Sequence, residues 1–276
     1  MAGTSYNPRA RFLGAELREA RVAAGIGVRE LAKKLGIGHA KISLWENGKK
    51  IPTTEDVARY LTAIEVTGDE FDRLLDMARS AGQPNWLEVG IPGIAEQLAA
   101  LMWFEKVATT IAEVGPLVIP GLLQTGDYAR SIMGDRPTAD TRVAMRLGRR
   151  DVLTRRNPAE FTALIGEAAL RQPIAEPDVM AAQLDHLLKT AELPNVTIQV
   201  MPANTRWHPG LLGPFVVLTF PKAKPIVHVE HHRSSAFIFD DDDVQAYFEA
   251  IDRIHQVTLS PEESLGLIAK VIKETT

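Results

Sequence analysis

Glycines at positions 25, 36, 38 and 48 cut the first fifty residues into pieces that suit short helices, and the apolar residues inside each piece recur at helical rather than strand spacing. Phe12, Leu13, Leu17, Ala20 and Ala24 mark a first helix ending at Gly25. Val28, Leu31, Ala32 and Leu35 mark a second, closed by Gly36, which tolerates positive φ. After Gly36-Ile37-Gly38, residues 39–47 place Ile42 and Trp45 on one face, and Gly48 stops the segment. Two short helices around a tight glycine turn, with apolar Ile37 inside it, predict a helix-turn-helix arrangement. Thr53-Thr54-Glu55-Asp56 caps a fourth helix bearing Val57, Leu61 and Ile64. Thr67, with Glu70 three residues on, is expected to form a capping box for a fifth, carrying Phe71, Leu74, Leu75 and Ala78. The expectation is an α-helical N-terminal helix-turn-helix domain of five helices over residues 9–82, a linker at 83–93 around Gln83-Pro84-Asn85 and Ile91-Pro92-Gly93, and a second domain over 94–276.

Charge divides along the same line. The net charge is -4, yet between Arg9 and Lys50 ten Lys and Arg face four acids, so that segment carries +6 and the rest of the chain -10. A basic segment on an acidic body is the footprint of a protein that meets phosphate with one end, while a merely solvated charged helix face remains the plain alternative. With no cysteine, disulfides, thiolate metal sites and cysteine nucleophiles are excluded together. The N-terminus lacks the apolar run of a signal peptide, and no stretch approaches eighteen uninterrupted apolar residues, so a cytoplasmic, non-membrane protein is expected.

Leu17, Arg21, Gly25, Leu31-Ala32, Gly36-Ile37, Ile42 and Trp45-Glu46-Asn47-Gly48 together resemble the phage-repressor or xenobiotic-response-element (XRE) type of helix-turn-helix, over roughly residues 11–81. The resemblance implies that Arg21 and Glu46 form an ion pair locking the first helix onto the third. It also implies that the third helix enters the major groove of double-stranded DNA. The base-facing positions are then His39, Ala40, Lys41, Ser43 and Leu44, and the phosphate contacts Arg29, Asn47, Lys49 and Lys50. Ala40 and Leu44 offer only apolar contacts, for example with a thymine methyl, in place of the paired hydrogen bonds a glutamine or arginine would make. Leu44 is open to a core role as well. Gly27 and Val28 replace the family's usual cap and glutamine at the head of the second helix. So few base contacts imply a homodimer reading two half-sites, associated with the nucleoid when bound.

The second half reads as an α+β domain with a partly antiparallel sheet. A helix is expected over residues 94–113 and another over 139–155, the latter with Arg142, Arg146, Arg149, Arg150, Arg155 and Arg156 on its polar faces. That arginine set is either a second DNA surface or a face paired with acids of its own domain. Five strands are expected, over residues 161–165, 196–201, 215–220, 226–230 and 236–239, with a helix over 178–190 between the first two and two helices at the end. The last opens with the capping box Ser260-Pro261-Glu262-Glu263. Pro120-Gly121-Leu122-Leu123-Gln124-Thr125, Asp127-Tyr128-Ala129-Arg130, Glu167-Ala168-Ala169-Leu170-Arg171, Gln183-Leu184-Asp185-His186-Leu187 and Ser260–Ser264 resemble the C-terminal domain of an actinomycete toxin-antitoxin-like transcriptional regulator family. The resemblance implies a small partner protein encoded nearby and supplies no catalytic residues.

His228, Glu230 and His232 alternate onto one strand face, where His208 would complete a metal set, but such tracts also occur as solvated sheet faces. Asp240 to Asp243 lack the glycine and the spaced glutamate of a calcium loop and read better as helix-capping acids. No phosphate-binding glycine loop, Gly-x-Ser-x-Gly or His-Glu-x-x-His occurs. The expectation is therefore a non-enzymatic regulator without metal, cofactor or catalytic residues. The alternatives are an antitoxin-like protein that masks its partner, or a metal-dependent hydrolase tethered to DNA.

Overall fold

The computed structural model describes residues 8–82, 96–135, 138–221, 223–230 and 235–275. Two compact units emerge, residues 1–100 with 222–224 and residues 101–221 with 225–276. The stretch expected to be the linker, 83–93, lies outside the described residues.

Among its described residues the first unit is helical, with α1 (Pro8–Ala23), α2 (Val28–Leu35), α3 (His39–Glu46), α4 (Thr54–Ala63) and α5 (Asp69–Gly82). Leu13, Leu17, Leu31, Ile42, Trp45, Val57, Leu61 and Leu74 are buried, so each amphipathic stripe faces a common core. Gly36 ends α2 at φ +67° with its N–H on the Ala32 and Lys33 carbonyls, and the Ile37 N–H also returns to Ala32 (3.1 Å), which turns the chain tightly into α3. Gly14 lets α1 touch α3, since a Cβ there would lie 2.3 Å from the Trp45 carbonyl oxygen. Thr53 caps α4 by accepting from the Asp56 N–H at 3.1 Å. Helix α5 begins at Asp69, directly after Gly68 at φ +68°.

The second unit is a mixed sheet with helices on it. In chain order it contains α6 (Glu96–Val107, from Leu101 onward), β1 (Thr110–Gly115), α7 (Gly126–Met133), α8 (Ala139–Arg149), β2 (Glu160–Gly166) and α9 (Glu167–Arg171). It continues with α10 (Pro177–Thr190), β3 (Val196–Met201), β4 (Phe215–Thr219), β5 (Ile226–Glu230), β6 (Ser235–Ile238), α11 (Asp241–His255) and α12 (Pro261–Thr275). The strand order is β3-β2-β1-β4-β5-β6. β1, β2 and β3 run parallel, and β4, β5 and β6 form an antiparallel meander joined to β1. One sheet face, with Val114, Leu164, Phe215, Val217 and Val227, packs on Val244, Ile251 and Ile254 of α11. The other face carries Phe237, against which Phe104 of α6 lies at 5.1 Å between ring centres. Edge strand β3 is covered: Val200 donates its N–H to the Ser264 hydroxyl and accepts from the Leu259 N–H, both at 2.9 Å.

Strand β1 corrects the expectation of a helix running to 113. Thr109, Thr110, Ile111 and Val114 are β-branched, and the segment becomes a central strand because β2 and β4 complete its backbone hydrogen bonds on both edges. Glu113 disguised it, because a carboxylate is not expected to point inward from a central strand. Helix α8 stops at Arg149 and a 3₁₀ turn continues over Arg150–Leu153, short of the expected 155. The capping box at α12 has both its bonds: Ser260 Oγ accepts from the Glu263 N–H (3.2 Å), and the Ser260 N–H donates to Glu263 Oε2 (2.9 Å). Asp240 caps α11, accepting from the N–H groups of Asp242 and Asp243.

Candidate nucleic-acid interface

Helix α3 divides cleanly. Ile42, Trp45 and Glu46 point inward, while His39, Ala40, Ser43 and Leu44 are exposed on the opposite side. Leu44 is 40% exposed, which removes the core reading and leaves it on the outward face. Lys41 sits between the two sets. Its Nζ is 3.4 Å from Asp56 Oδ1 on α4 and 4.7 Å over the Trp45 ring, so it is turned back toward the domain.

What fixes α3 is a closed polar network. Arg21 Nε and Nη2 donate to Glu46 Oε1 and Oε2 at 2.7 and 2.8 Å, and Nη1 donates to the Ile26 carbonyl at 2.8 Å. The Tyr60 hydroxyl donates to Glu46 Oε1 at 2.7 Å and lies 2.9 Å from the Leu17 carbonyl. Burial pushes the phenol further up, as does the Glu46 charge, while the hydrogen bond to Glu46 holds the Arg21 guanidinium more firmly protonated. One glutamate thus ties α1, α3 and α4 together.

Arg29, Lys49 and Lys50 are exposed, Arg29 at the head of α2 and the lysines just past the end of α3. The N–H groups of Lys49 and Lys50 both return to the Leu44 carbonyl, which places the pair beside the exposed face of α3. Asn47 is exposed but folded back, its Nδ2 donating to the Ser43 carbonyl at 2.7 Å, so a phosphate would have to replace that bond. The structure therefore collects His39, Ala40, Ser43, Leu44, Lys49 and Lys50 on accessible surface and leaves Lys41 and Asn47 engaged.

In the second unit most of the arginine set is consumed internally. Arg149 Nε and Nη2 donate to Glu105 at 2.8 and 2.6 Å, with both side chains buried. Arg146 donates to Gln124 Oε1 (2.8 Å), Arg150 to the Gln124 carbonyl (3.2 Å), and Arg155 to the carbonyls of Lys106, Ala108 and Asn157. Gln124 in turn donates to the Ile119 carbonyl at 2.7 Å. Beside this lies Glu113: its Oε1 accepts from the Gly121 N–H (3.2 Å), while Oε2 is buried and has no partner among the described residues. Burial drives its carboxyl up to about 7, with Glu105 adding to the rise and Arg149 opposing it. His228 shares the row, since Glu113 pairs with Val216 and Val216 with His228 across the sheet. Burial and Arg149 lower its imidazole to about 4. Pairing of the arginine set with acids of its own domain is one of the two expectations from the sequence, but which acids, and the inclusion of Glu113, are not legible there because the members are scattered from 105 to 228.

The expected metal set does not assemble from what is described. Among the described residues no group of three His, Asp or Glu is placed to hold an ion, and His232 lies outside them. His228 packs on Phe237 at 4.7 Å between ring centres, and His208 is buried in the loop before β4. Among the described residues no helix is long and apolar enough to cross a membrane.

Two family descriptions match the chain: a helix-turn-helix domain over residues 13–74, and a domain of unknown function, DUF5753, over residues 98–270. No curated protein and no solved structure matches it. The N-terminal unit is thus the DNA-binding domain of a regulator.

Proposed function

The chain belongs to the DUF5753 family, and on that premise we propose that it is a sequence-specific transcriptional regulator of the XRE type, acting as a dimer, whose C-terminal unit receives a signal from a small molecule or small partner protein. The observation that carries this reading is the outward face of α3, where His39, Ser43 and the apolar Ala40 and Leu44 stand on a helix locked from behind by Arg21 and Glu46. Polar ends with apolar sides suit a groove in which a histidine or serine meets a base edge and a leucine meets a thymine methyl. Arg29, Lys49 and Lys50 supply the phosphate contacts. Dimerisation follows from economy of contact: one face with so few readers binds weakly, and two such faces a helical turn apart gain both affinity and symmetry. The reading assigns the protein no catalytic step and no cofactor.

Genome-wide mapping of bound DNA for the wild type beside a Lys49→Ala, Lys50→Ala variant tests it. Discrete sites sharing a near-palindromic motif, depleted in the variant, are expected. Affinity for a recovered site should fall with salt at a log–log slope near -5, for roughly six neutralised phosphates. Equal enrichment of wild type and variant, or a flat salt response, would overturn the assignment.

A further inference from the structure

The three parallel strands end together, β1 at Gly115, β2 at Gly166 and β3 at Met201, and Pro214 leads into antiparallel β4 at that same end. From β1 the chain builds the sheet outward in one direction through β2 and β3, then returns to add β4 on the other side of β1. Crevices in open α/β sheets form at such a reversal, outside the carboxyl ends of the strands. Here the crevice is a cleft of about 460 Å³, within the range of small-molecule sites. Its floor is backbone against backbone: a Cβ at Gly166 would lie 2.1 Å from the Pro116 carbonyl oxygen. One wall is the loop with Leu117 and Val118, and the other is the 3₁₀ turn with Leu211 and Leu212.

Those four side chains are 60, 41, 60 and 79% exposed and line one cleft, whereas Ile132, the other exposed large aliphatic among the described residues of this unit, lies away from it. The polar groups are few. Glu167 is already engaged, accepting from the Ala203 N–H at 3.0 Å and from Arg171 at 2.7 Å. His208, 3% exposed, lines the cleft with its Nδ1 unpartnered among the described residues, and burial favours its neutral form. A buried nitrogen without a partner is an unusual feature that a ligand group can complete.

We propose that this cleft binds a neutral, largely apolar small molecule carrying one hydrogen-bonding group that meets His208. Among the described residues lining the cleft none offers a free charge to a charged ligand, since its carboxylate is paired and burial favours the neutral imidazole. The proposal deepens the effector reading and rests on it only for the ligand's role. Occupancy of the cleft and binding of DNA are measured separately, so either can fail while the other stands.

The test is a fluorescence titration of the full-length protein with Nile red, a neutral apolar dye bearing a carbonyl acceptor. Saturable binding of one dye per chain is expected. Ala168→Trp, which fills the cleft from α9, should weaken it at least tenfold, as should Ala203→Trp from the exposed loop, which guards against misfolding of the first variant. His208→Leu should weaken it about three- to tenfold, in keeping with one hydrogen bond. Non-saturable binding, or unchanged binding in both tryptophan variants, would overturn the proposal. So would loss of binding in a Leu211→Ser, Leu212→Ser variant while both tryptophan variants retain it, for that pattern marks the rim as a docking face for a protein or a second copy.

Discussion

Each unit buries an arginine–glutamate pair, and the two pairs are built differently. In the helix-turn-helix unit, Glu46 receives Arg21 Nε and Nη2 and the Tyr60 hydroxyl, and the third guanidinium nitrogen, Nη1, reaches the Ile26 carbonyl. In the α+β unit, Arg149 and Glu105 close on each other, but the neighbouring carboxyl of Glu113 keeps one buried oxygen without a partner among the described residues. A closed network holds geometry and little else. One with an open valence and two displaced titrations, at Glu113 and His228, stores sensitivity to its surroundings. The contrast lies between the two pairs: Arg21–Glu46 positions the exposed face of α3, whereas Arg149–Glu105 sits beside the open oxygen of Glu113.

Deleting one member of each pair is the largest perturbation and the most direct way to break the comparison. Removing a partner leaves a buried charge uncompensated, which costs about 3–5 kcal/mol. Arg21→Ala should therefore strip hydrogen-exchange protection from α1 to α4 while sparing the sheet, and Arg149→Ala should do the reverse. If Arg21→Ala lowers the opening free energy of α3 by less than about 1 kcal/mol, the lock is not the pair but the surrounding core.

A smaller effect sharpens the distinction through pH. The Glu113 carboxyl rises from 4.5 in the unfolded chain to about 7 in the fold, so the folded state binds its proton more tightly and stability falls as pH rises from 4.5 to 7. His228 moves from 6.5 to about 4, so its contribution is complete above pH 6.5 and is lost as pH falls toward 4. Between pH 4.5 and 6.5 the Glu113 and His228 slopes oppose each other, and their contributions to urea denaturation of the α+β unit nearly cancel, while burial of His186 and His208 adds a rise of the same sign as His228. Glu113→Gln removes the falling slope, and relative to the wild type stability should then climb by roughly 1–3 kcal/mol more across that window. His228→Gln should shift the profile the other way, toward a decline with rising pH. Variant profiles parallel to the wild type's would mean that neither group titrates as the burial implies.

The same contrast explains what could be read before the structure. The helix-turn-helix unit is specified by local marks: Gly36 and Gly48 punctuate it, and Leu31, Ile42 and Trp45 fall on faces that three or four residues of spacing already define. Strand β1 escaped because its state is set by β2 and β4, fifty and a hundred residues away, while Glu113 interrupts the apolar alternation that would have announced it. The cleft escaped for a related reason, since Gly115, Gly166 and His208 have no pattern in common until parallel strands align their ends. Lys41 shows the limit in the other direction. Its place in α3 was legible, but its pairing with Asp56 depends on where α4 packs.

That pairing yields the smallest effect, and one that separates position from availability. Lys41 is half-buried between Asp56 and the Trp45 ring, whereas Lys49 and Lys50 are exposed. An ion pair this close to solvent contributes about 0.2–1 kcal/mol, so Asp56 holds Lys41 back from DNA by a factor of about 1.5 to 5. Asp56→Asn should then raise affinity for a mapped site by that factor without altering α4, whose cap depends on the Asp56 backbone N–H rather than its carboxylate. Lys41→Ala should lower affinity less than the Lys49→Ala, Lys50→Ala pair does, and should leave the Asp56→Asn gain abolished in the double variant. A Lys41→Ala loss equal to that of the pair would mean that Lys41 leaves Asp56 when DNA arrives. The surface chemistry of the first unit would then be assembled by binding rather than held ready for it.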